Sequence, residues 1–185
     1  MNRPPSFAEE WSSDWGAWVL ERGLPELPAK LAFGEAVPVA RWAGPAFGAV
    51  IYITRDEDEG QERWDEDVEP FVRSPGGWEP IGSTGGTKWP PEALQGIDVP
   101  PNFAAVGGSL LVGLGDGECC AFHGIAGRDA RFVELIERDE TTTNRFDSPV
   151  GIFVVCFAPP DAVVRVLDGA EAVLLEEPVN PWSPL

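Results

Sequence analysis

The run from Glu118 to Glu176 constrains this chain most, because four apolar segments follow one another there with only turn chemistry between them. Short segments rich in β-branched and aromatic residues, bounded by Gly, Pro, Asn and Asp, are typical of β-strands. Residues 119–125 are predicted to pair with 131–138, a polar turn is predicted at 141–144, and 150–157 is the most hydrophobic strand. The run therefore predicts an antiparallel β-meander on which the preceding residues pack.

Length and composition extend this prediction to the whole chain. A chain of 185 residues fits one domain with its own core, and 21 Gly and 19 Pro interrupt it too often for long helices. The predicted fold is mostly β: a single-domain antiparallel β-sandwich or curled sheet of about eight to ten strands, with one N-terminal amphipathic helix packed on it. Its predicted parts are the helix at 6–23, a Pro/Gly-rich connection at 24–47, a first strand group at 48–117 with acidic and Gly-rich loops, the meander at 118–176 and a Pro-rich tail at 177–185.

The N-terminal helix is predicted from its capping pattern and its aromatic spacing. Ser6 and Glu9 stand three residues apart, as in a capping box, and Gly23 before Leu24-Pro25 supplies a stop. One helix face carries four aromatic side chains at spacings of four, four and three, namely Phe7, Trp11, Trp15 and Trp18. The spacing favours a helix docked on its own core, with a partner-binding or membrane-surface helix as the alternative, although the acidic polar face disfavours the membrane.

The most acidic segment lies between Arg55 and Glu69, where nine acidic residues are offset by two arginines. A solvated hairpin loop is the first interpretation, and an acidic recognition patch is the second. A calcium loop is the third, but glycine occupies a ligand position at Gly60 and the twelfth position is Asp67 rather than a bidentate Glu. The segment therefore predicts an acidic surface without a metal.

The net charge of the chain indicates which kind of partner this acidic surface would bind. The chain carries 31 acidic and 13 basic residues, a formal net charge of −18. This field repels nucleic-acid phosphates and anionic lipid headgroups, and it attracts a basic protein. The predicted function is a non-enzymatic module that binds a basic protein as an inhibitor, an immunity-type protein or a nucleic-acid mimic. Its predicted partner-binding residues are Asp56, Glu57, Asp58, Glu59, Glu62, Asp65, Glu66 and Asp67.

The alternative function is small-ligand binding, of a carbohydrate for example, or hydrolysis in a Trp-flanked pocket. Two tryptophans bracket a Gly-Ser-Thr-Gly-Gly loop, and aromatic rings beside flexible loops can stack on ligands. The chain has one histidine, so a hydrolytic site built on an imidazole must use it. The predicted ligand-binding residues are Trp78, Ser83, Thr84, Trp89 and His123.

The cysteines predict structural thiols rather than a nucleophile, a zinc site or a disulfide framework. Strand alternation places Cys119 on the same face as His123 but about 13 Å away by the strand rise, and Cys120 on the opposite face. Only Cys156 can approach from a neighbouring strand. Three cysteines, no apolar leader and no apolar run long enough for a membrane helix predict a cytoplasmic protein that neither spans a membrane nor needs a cofactor.

Overall fold

A computed structural model describes residues 13–58, 60–88, 94, 96–114, 117–158 and 161–179, with backbone alone at 13–14, 58, 84–88, 108–114 and 117–118. These residues form one helix and twelve strands, so the predicted class is confirmed with more strands than the eight to ten expected. The elements are α1 (Ser13–Arg22), β1 (Glu35–Ala43), β2 (Phe47–Asp58), β3 (Gln61–Ser74), β4 (Gly77–Pro80), β5 (Thr84–Lys88), β6 (Ala104–Leu114), β7 (Gly117–Ala126), β8 (Ala130–Glu137), β9 (Glu140–Arg145), β10 (Ile152–Phe157), β11 (Ala162–Asp168) and β12 (Val173–Val179).

The strands form three antiparallel sheets. Sheet A has the order β1-β2-β3-β4 with β5 also paired to β3, sheet B has the order β10-β7-β6, and sheet C has the order β12-β11-β8-β9. One hydrophobic core joins them, with Ile51 from sheet A, Phe122 from sheet B and Leu135 from sheet C among its buried members. The Asn144 side chain also ties β9 to the edge of sheet A, since it accepts from the Ala43 N–H and donates to the Ala43 carbonyl.

The extra strands come from segments whose polar or Gly-rich composition hides them. The predicted polar turn at 141–144 is strand β9, and part of the predicted Gly-rich loop is strand β5. Within the predicted connection at 24–47, β1 forms as an edge strand whose register shifts between Pro38 and Ala40. Pro is tolerated there because an edge strand has one side without ladder hydrogen bonds. Hydrogen bonding of the backbone therefore overrides composition in β9 and β5, whereas residues 37–42 already permit an edge strand by their sequence.

The predicted pairing of 119–125 with 131–138 is wrong, because β7 and β8 belong to different sheets. Strand β7 lies between β6 and β10, and β8 lies between β9 and β11. The turn between β7 and β8 bonds elsewhere: Gly127 donates its N–H to the Phe103 carbonyl, and Asp129 donates to the Pro101 carbonyl. A Cβ at Gly127 would stand 2.1 Å from the Pro100 oxygen, so glycine lets this turn approach the preceding segment and redirect the chain into sheet C.

Helix α1 packs on the outer face of sheet A, which confirms the docked-helix interpretation. Its described residues begin at Ser13, so the predicted start at 6–12 lies outside the described residues. Trp15 and Val19 are buried against Tyr52 and Phe71 of the sheet. Gly16 permits this approach, because a Cβ there would lie 2.1 Å from Phe71 Cζ.

Replacing Gly16 by alanine is expected to lower the free energy of unfolding by about 1–3 kcal/mol, although alanine alone would favour the helix by about 1 kcal/mol. The reason is the overlap of the new methyl group with the Phe71 ring. Urea unfolding of Gly16→Ala, Phe71→Leu and the double variant measures the coupling. The double variant should lose less stability than the two single losses added together, and additive losses would contradict this packing.

Candidate functional site

The acidic segment forms the two strands of a long hairpin rather than a loop. β2 and β3 pair continuously from Phe47 opposite Val72 to Asp58 opposite Gln61. Strand β1 pairs with β2 only as far as Arg55, so the acidic end of the hairpin extends past its neighbour on that side. A paired hairpin holds its side chains in fixed directions, which a solvated loop would not do.

Buried and partly exposed positions alternate along the acidic part of β3, and this alternation explains why these residues form a strand. On β3, Trp64, Glu66 and Val68 are buried, and the residues between them are partly exposed. This is the period-two pattern of a half-buried strand, with one charged residue at an apolar position. The Trp64-x-Glu66-x-Val68 spacing is visible in the sequence, but the surrounding charges make it read as a loop.

The eight predicted partner-binding residues have different environments. Asp56, Glu57 and Glu62 are exposed at the end of the hairpin, and Asp65 and Asp67 are partly exposed on its outer face. Glu66 points inward and is 2% exposed, so it belongs to the core rather than to the surface. The Asp58 side chain and all of Glu59 lie outside the described residues.

Hydrogen bonds organise the exposed end of the hairpin. Glu62 Oε1 accepts from Trp64 Nε1 at 2.8 Å and from Arg55 Nε at 3.1 Å. These two bonds hold the pKa of Glu62 below its usual range, and the bond from Trp64 has the larger effect. Arg55 also donates to the Leu31 carbonyl at 2.6 Å, and its guanidinium lies 4.2 Å from the centre of the Phe33 ring. Arg55 therefore joins the Glu62 carboxylate to an aromatic ring at the surface, with Phe33 52% exposed.

The outer face of β3 concentrates like charges. Asp65 and Asp67 lie two residues apart on this face, and Arg63 pairs with Asp65. Asp67 accepts from Thr54 Oγ1 at 3.4 Å, yet its pKa is raised by burial and further by the charges of Asp65 and Glu66. Burial is the larger cause of the raised pKa, and the charges of Asp65 and Glu66 add a repulsion that a basic ligand would relieve.

Glu66 of sheet A contacts His123 of sheet B, the single histidine of the chain. Its Oε1 lies 3.3 Å from His123 Nδ1, where the His123 side chain is 19% exposed. Glu66 comes from β3 of sheet A and His123 from β7 of sheet B, opposite Val154 of β10 and Gly108 of β6. The structure thus forms a carboxylate–imidazole pair from one predicted partner-binding residue and one predicted ligand-binding residue.

Two of the other predicted ligand-binding residues, Trp78 and Ser83, are described with their side chains, and Trp78 does not join His123. Trp78 packs in the cluster beneath helix α1, on the opposite face of sheet A from Glu66, with the Arg73 guanidinium 5.3 Å from its ring centre. Ser83 is exposed just before β5. The Thr84 side chain and Trp89 lie outside the described residues. Trp78 and His123 therefore do not line a common pocket.

The thiols and two cavities involve other residues. All three cysteines are free and buried, and a hydrogen bond with Cys156 lowers the pKa of the Cys119 thiol, while that bond and burial raise the pKa of Cys156. Cys156 borders a cavity of about 440 Å³, and a second cavity of about 470 Å³ lies beside Arg128. The described residues that line these cavities include neither Trp78 nor His123.

Within the described part of the chain, no group of three or more His, Cys, Asp and Glu side chains is placed to hold a metal ion. No helix among the same residues is long and apolar enough to cross a bilayer. Comparison with protein-family models, with curated proteins and with solved structures finds no match.

Proposed function

We propose that this protein is a non-enzymatic interaction module that binds a basic protein through the end of the β2–β3 hairpin. The contacting carboxylates are Asp56, Glu57 and Glu62, flanked by Asp65 and Asp67. The observation that carries the proposal is that these residues are exposed or partly exposed on one paired hairpin that extends past β1. An inhibitor, an immunity-type protein or a nucleic-acid mimic would use such a surface.

Charge and rigidity both support a protein ligand. The formal net charge of −18 speeds encounter with a basic surface and opposes contact with nucleic acid. Because the hairpin is already paired, binding orders fewer groups than a loop would require, and less of the interaction free energy is lost. The carboxylates also repel one another, so a cationic partner relieves a cost that the free protein bears.

The surface beside the carboxylates suggests the chemistry of the partner's contact region. Phe33 is one of the large exposed apolar side chains, and it is linked to Glu62 through Arg55. Interfaces commonly centre on an aromatic anchor within a polar rim. The partner would therefore present lysine or arginine residues around an apolar spot. The proposal includes a cytoplasmic location, which the free, buried thiols support.

Affinity capture from the source cell with matched variants tests the proposal. The hairpin variant combines Asp56→Asn, Glu57→Gln and Glu62→Gln. The control variant removes the same charge from exposed acids elsewhere, through Asp129→Asn, Glu171→Gln and Glu177→Gln. A basic protein should be retained by the natural chain and the control variant and lost from the hairpin variant. Equal retention by all three proteins would refute the proposal.

A further inference from the structure

A cavity of about 470 Å³ lies where three connecting segments of the chain meet. The segments are 96–101 before β6, the β7–β8 turn at 126–128, and 146–151 between β9 and β10. A volume of this size is typical of pockets that bind small molecules. The described residues that line the cavity include none of the hairpin carboxylates, so a ligand bound here would leave the docking surface free.

Backbone hydrogen bonds hold the walls of this cavity in place. Ile97 donates its N–H to the Val150 carbonyl at 3.0 Å, and Ala126 donates its N–H to the Gly151 carbonyl at 2.8 Å. Gly151 has φ +82°, and a Cβ there would lie 2.9 Å from the Ala126 oxygen, so glycine permits the close approach of these two segments. The segment at 146–151 is thus bonded to both of the others, and a ligand would enter a site that is already formed.

The lining is apolar where it meets the core and charged where it meets solvent. Val150 is 1% exposed, and Ile97 and Phe146 pack against the same hydrophobic core. Asp98 and Arg128 also line the cavity, and both are exposed. A ligand that matches these walls has an apolar body and a charged end.

Asp98 and Arg128 bring opposite charges to one cavity without using them. Among the described residues, neither the Asp98 carboxylate nor the Arg128 guanidinium forms an ion pair or a side-chain hydrogen bond. A carboxylate accepts from an ammonium group, and a guanidinium donates to a carboxylate. A ligand that carries both groups would satisfy both side chains. Such a zwitterion has no net charge, so the net charge of −18 does not repel it as it repels an anion.

We propose that this cavity binds a free α-amino acid with an apolar side chain. The ammonium group of the ligand bonds to Asp98 and its carboxylate bonds to Arg128. The apolar side chain of the ligand lies against Ile97, Phe146 and Val150. An amine or a carboxylic acid of the same size would leave one of the two charged side chains without a partner. The site is a binding site only, and it is independent of the hairpin.

Isothermal titration calorimetry with three probes of similar size tests the proposal. L-Phenylalanine carries both charged groups, phenethylamine lacks the carboxylate, and hydrocinnamate lacks the ammonium group. At physiological ionic strength, which screens the net charge of the protein, the natural chain should bind L-phenylalanine at one saturable site. It should bind the other two probes about tenfold more weakly, because each loses a hydrogen bond between charged groups. No saturable binding of L-phenylalanine, or equal binding of all three probes, would overturn the proposal.

Two variants assign the charged groups of the ligand to their partners. Arg128→Gln should weaken binding of L-phenylalanine about tenfold and leave phenethylamine unaffected, whereas Asp98→Asn should weaken L-phenylalanine equally and leave hydrocinnamate unaffected. Asp129→Asn is the matched control, because Asp129 is exposed beside Arg128 in the chain but is not among the described lining residues. The control should bind L-phenylalanine like the natural chain. Unchanged binding by either cavity variant, or equal weakening by Asp98→Asn and Asp129→Asn, would contradict the assignment.

Discussion

Replacing His123 by leucine is expected to lower the free energy of unfolding by about 3 kcal/mol, because it removes the imidazole that faces the buried Glu66 carboxylate. The estimate lies at the lower end of the usual range for buried pairs because His123 keeps some contact with solvent. Urea unfolding monitored by tryptophan fluorescence measures the loss, with the m-value checked for two-state behaviour.

The double variant Glu66→Leu/His123→Leu separates the pair from ordinary packing. Removing both polar groups eliminates the buried carboxylate itself, so this variant should be more stable than His123→Leu alone. Two results would contradict the assignment of a stabilising cross-sheet contact between Glu66 and His123. One is a loss below about 0.5 kcal/mol for His123→Leu, the limit typical of surface substitutions. The other is a double variant that is less stable than the single one.

The second large effect is a dependence of stability on pH at Glu69, beneath helix α1. Tyr52 donates its hydroxyl hydrogen to Glu69 Oε2 at 3.1 Å, and the position a Gly16 Cβ would take is 2.9 Å from that oxygen. Burial raises the pKa of Glu69 to about 7, above the ordinary value of 4.5. Because the folded-state pKa is the higher one, the stabilising contribution of the protonated form is complete below pH 4.5 and is lost as the pH rises through about 7.

Replacing Glu69 by glutamine should remove this dependence. At pH 8 the Glu69→Gln variant should be more stable than the natural chain by about 2 kcal/mol, a figure reduced for the partial solvation of the carboxyl group. At pH 4 the difference should vanish, because the natural side chain is then protonated. Thermal unfolding across this pH range measures both values. An equal stability difference at pH 4 and pH 8 would rule out titration of Glu69 as the cause.

The sequence predicts the parts of the fold in which hydrophobic periodicity and turn residues agree. Ile152–Phe157 is apolar throughout because β10 is buried along its whole length, and such a run is recognisable without a structure. Glycine inside a strand is typical of a bulge, and Gly107 lies at the register shift of β6 between Val106 and Gly108. Trp15 and Trp18 lie at helical spacing because α1 docks through that side, with Trp15 buried and Trp18 packed against the same cluster.

Strand pairing is less predictable, because it depends on contacts between distant residues. Adjacent strands with a short turn favour a β7–β8 hairpin by proximity, but the amides of Gly127 and Asp129 donate to carbonyls in the segment before β6. No local pattern encodes that choice. The acidic hairpin resembles a loop in the sequence for a local reason, because its many charges obscure the regular alternation of buried residues from Trp64 to Val68.

The sequence predicts which acidic residues belong to the candidate site, but it does not predict how their side chains are arranged in space. The concentration of acids at the end of β2 and the start of β3 follows from the sequence, and Asp56, Glu57 and Glu62 are exposed as expected. Glu66 is buried because strand alternation directs it inward, where His123 from another sheet meets it. A pairing of two residues 57 positions apart in the chain, on different sheets, cannot be read from local spacing.

The salt dependence of partner binding tests the central claim most directly. With the captured basic protein, the dissociation constant is measured from low to high salt for the natural chain, the hairpin variant and the control variant. The hairpin variant should bind about tenfold more weakly at low salt and should show the shallowest salt dependence, since three exposed charges no longer contribute. The control variant should behave like the natural chain. Identical affinities and salt dependences for the hairpin variant and the natural chain would contradict the assignment of the β2–β3 hairpin as the docking surface.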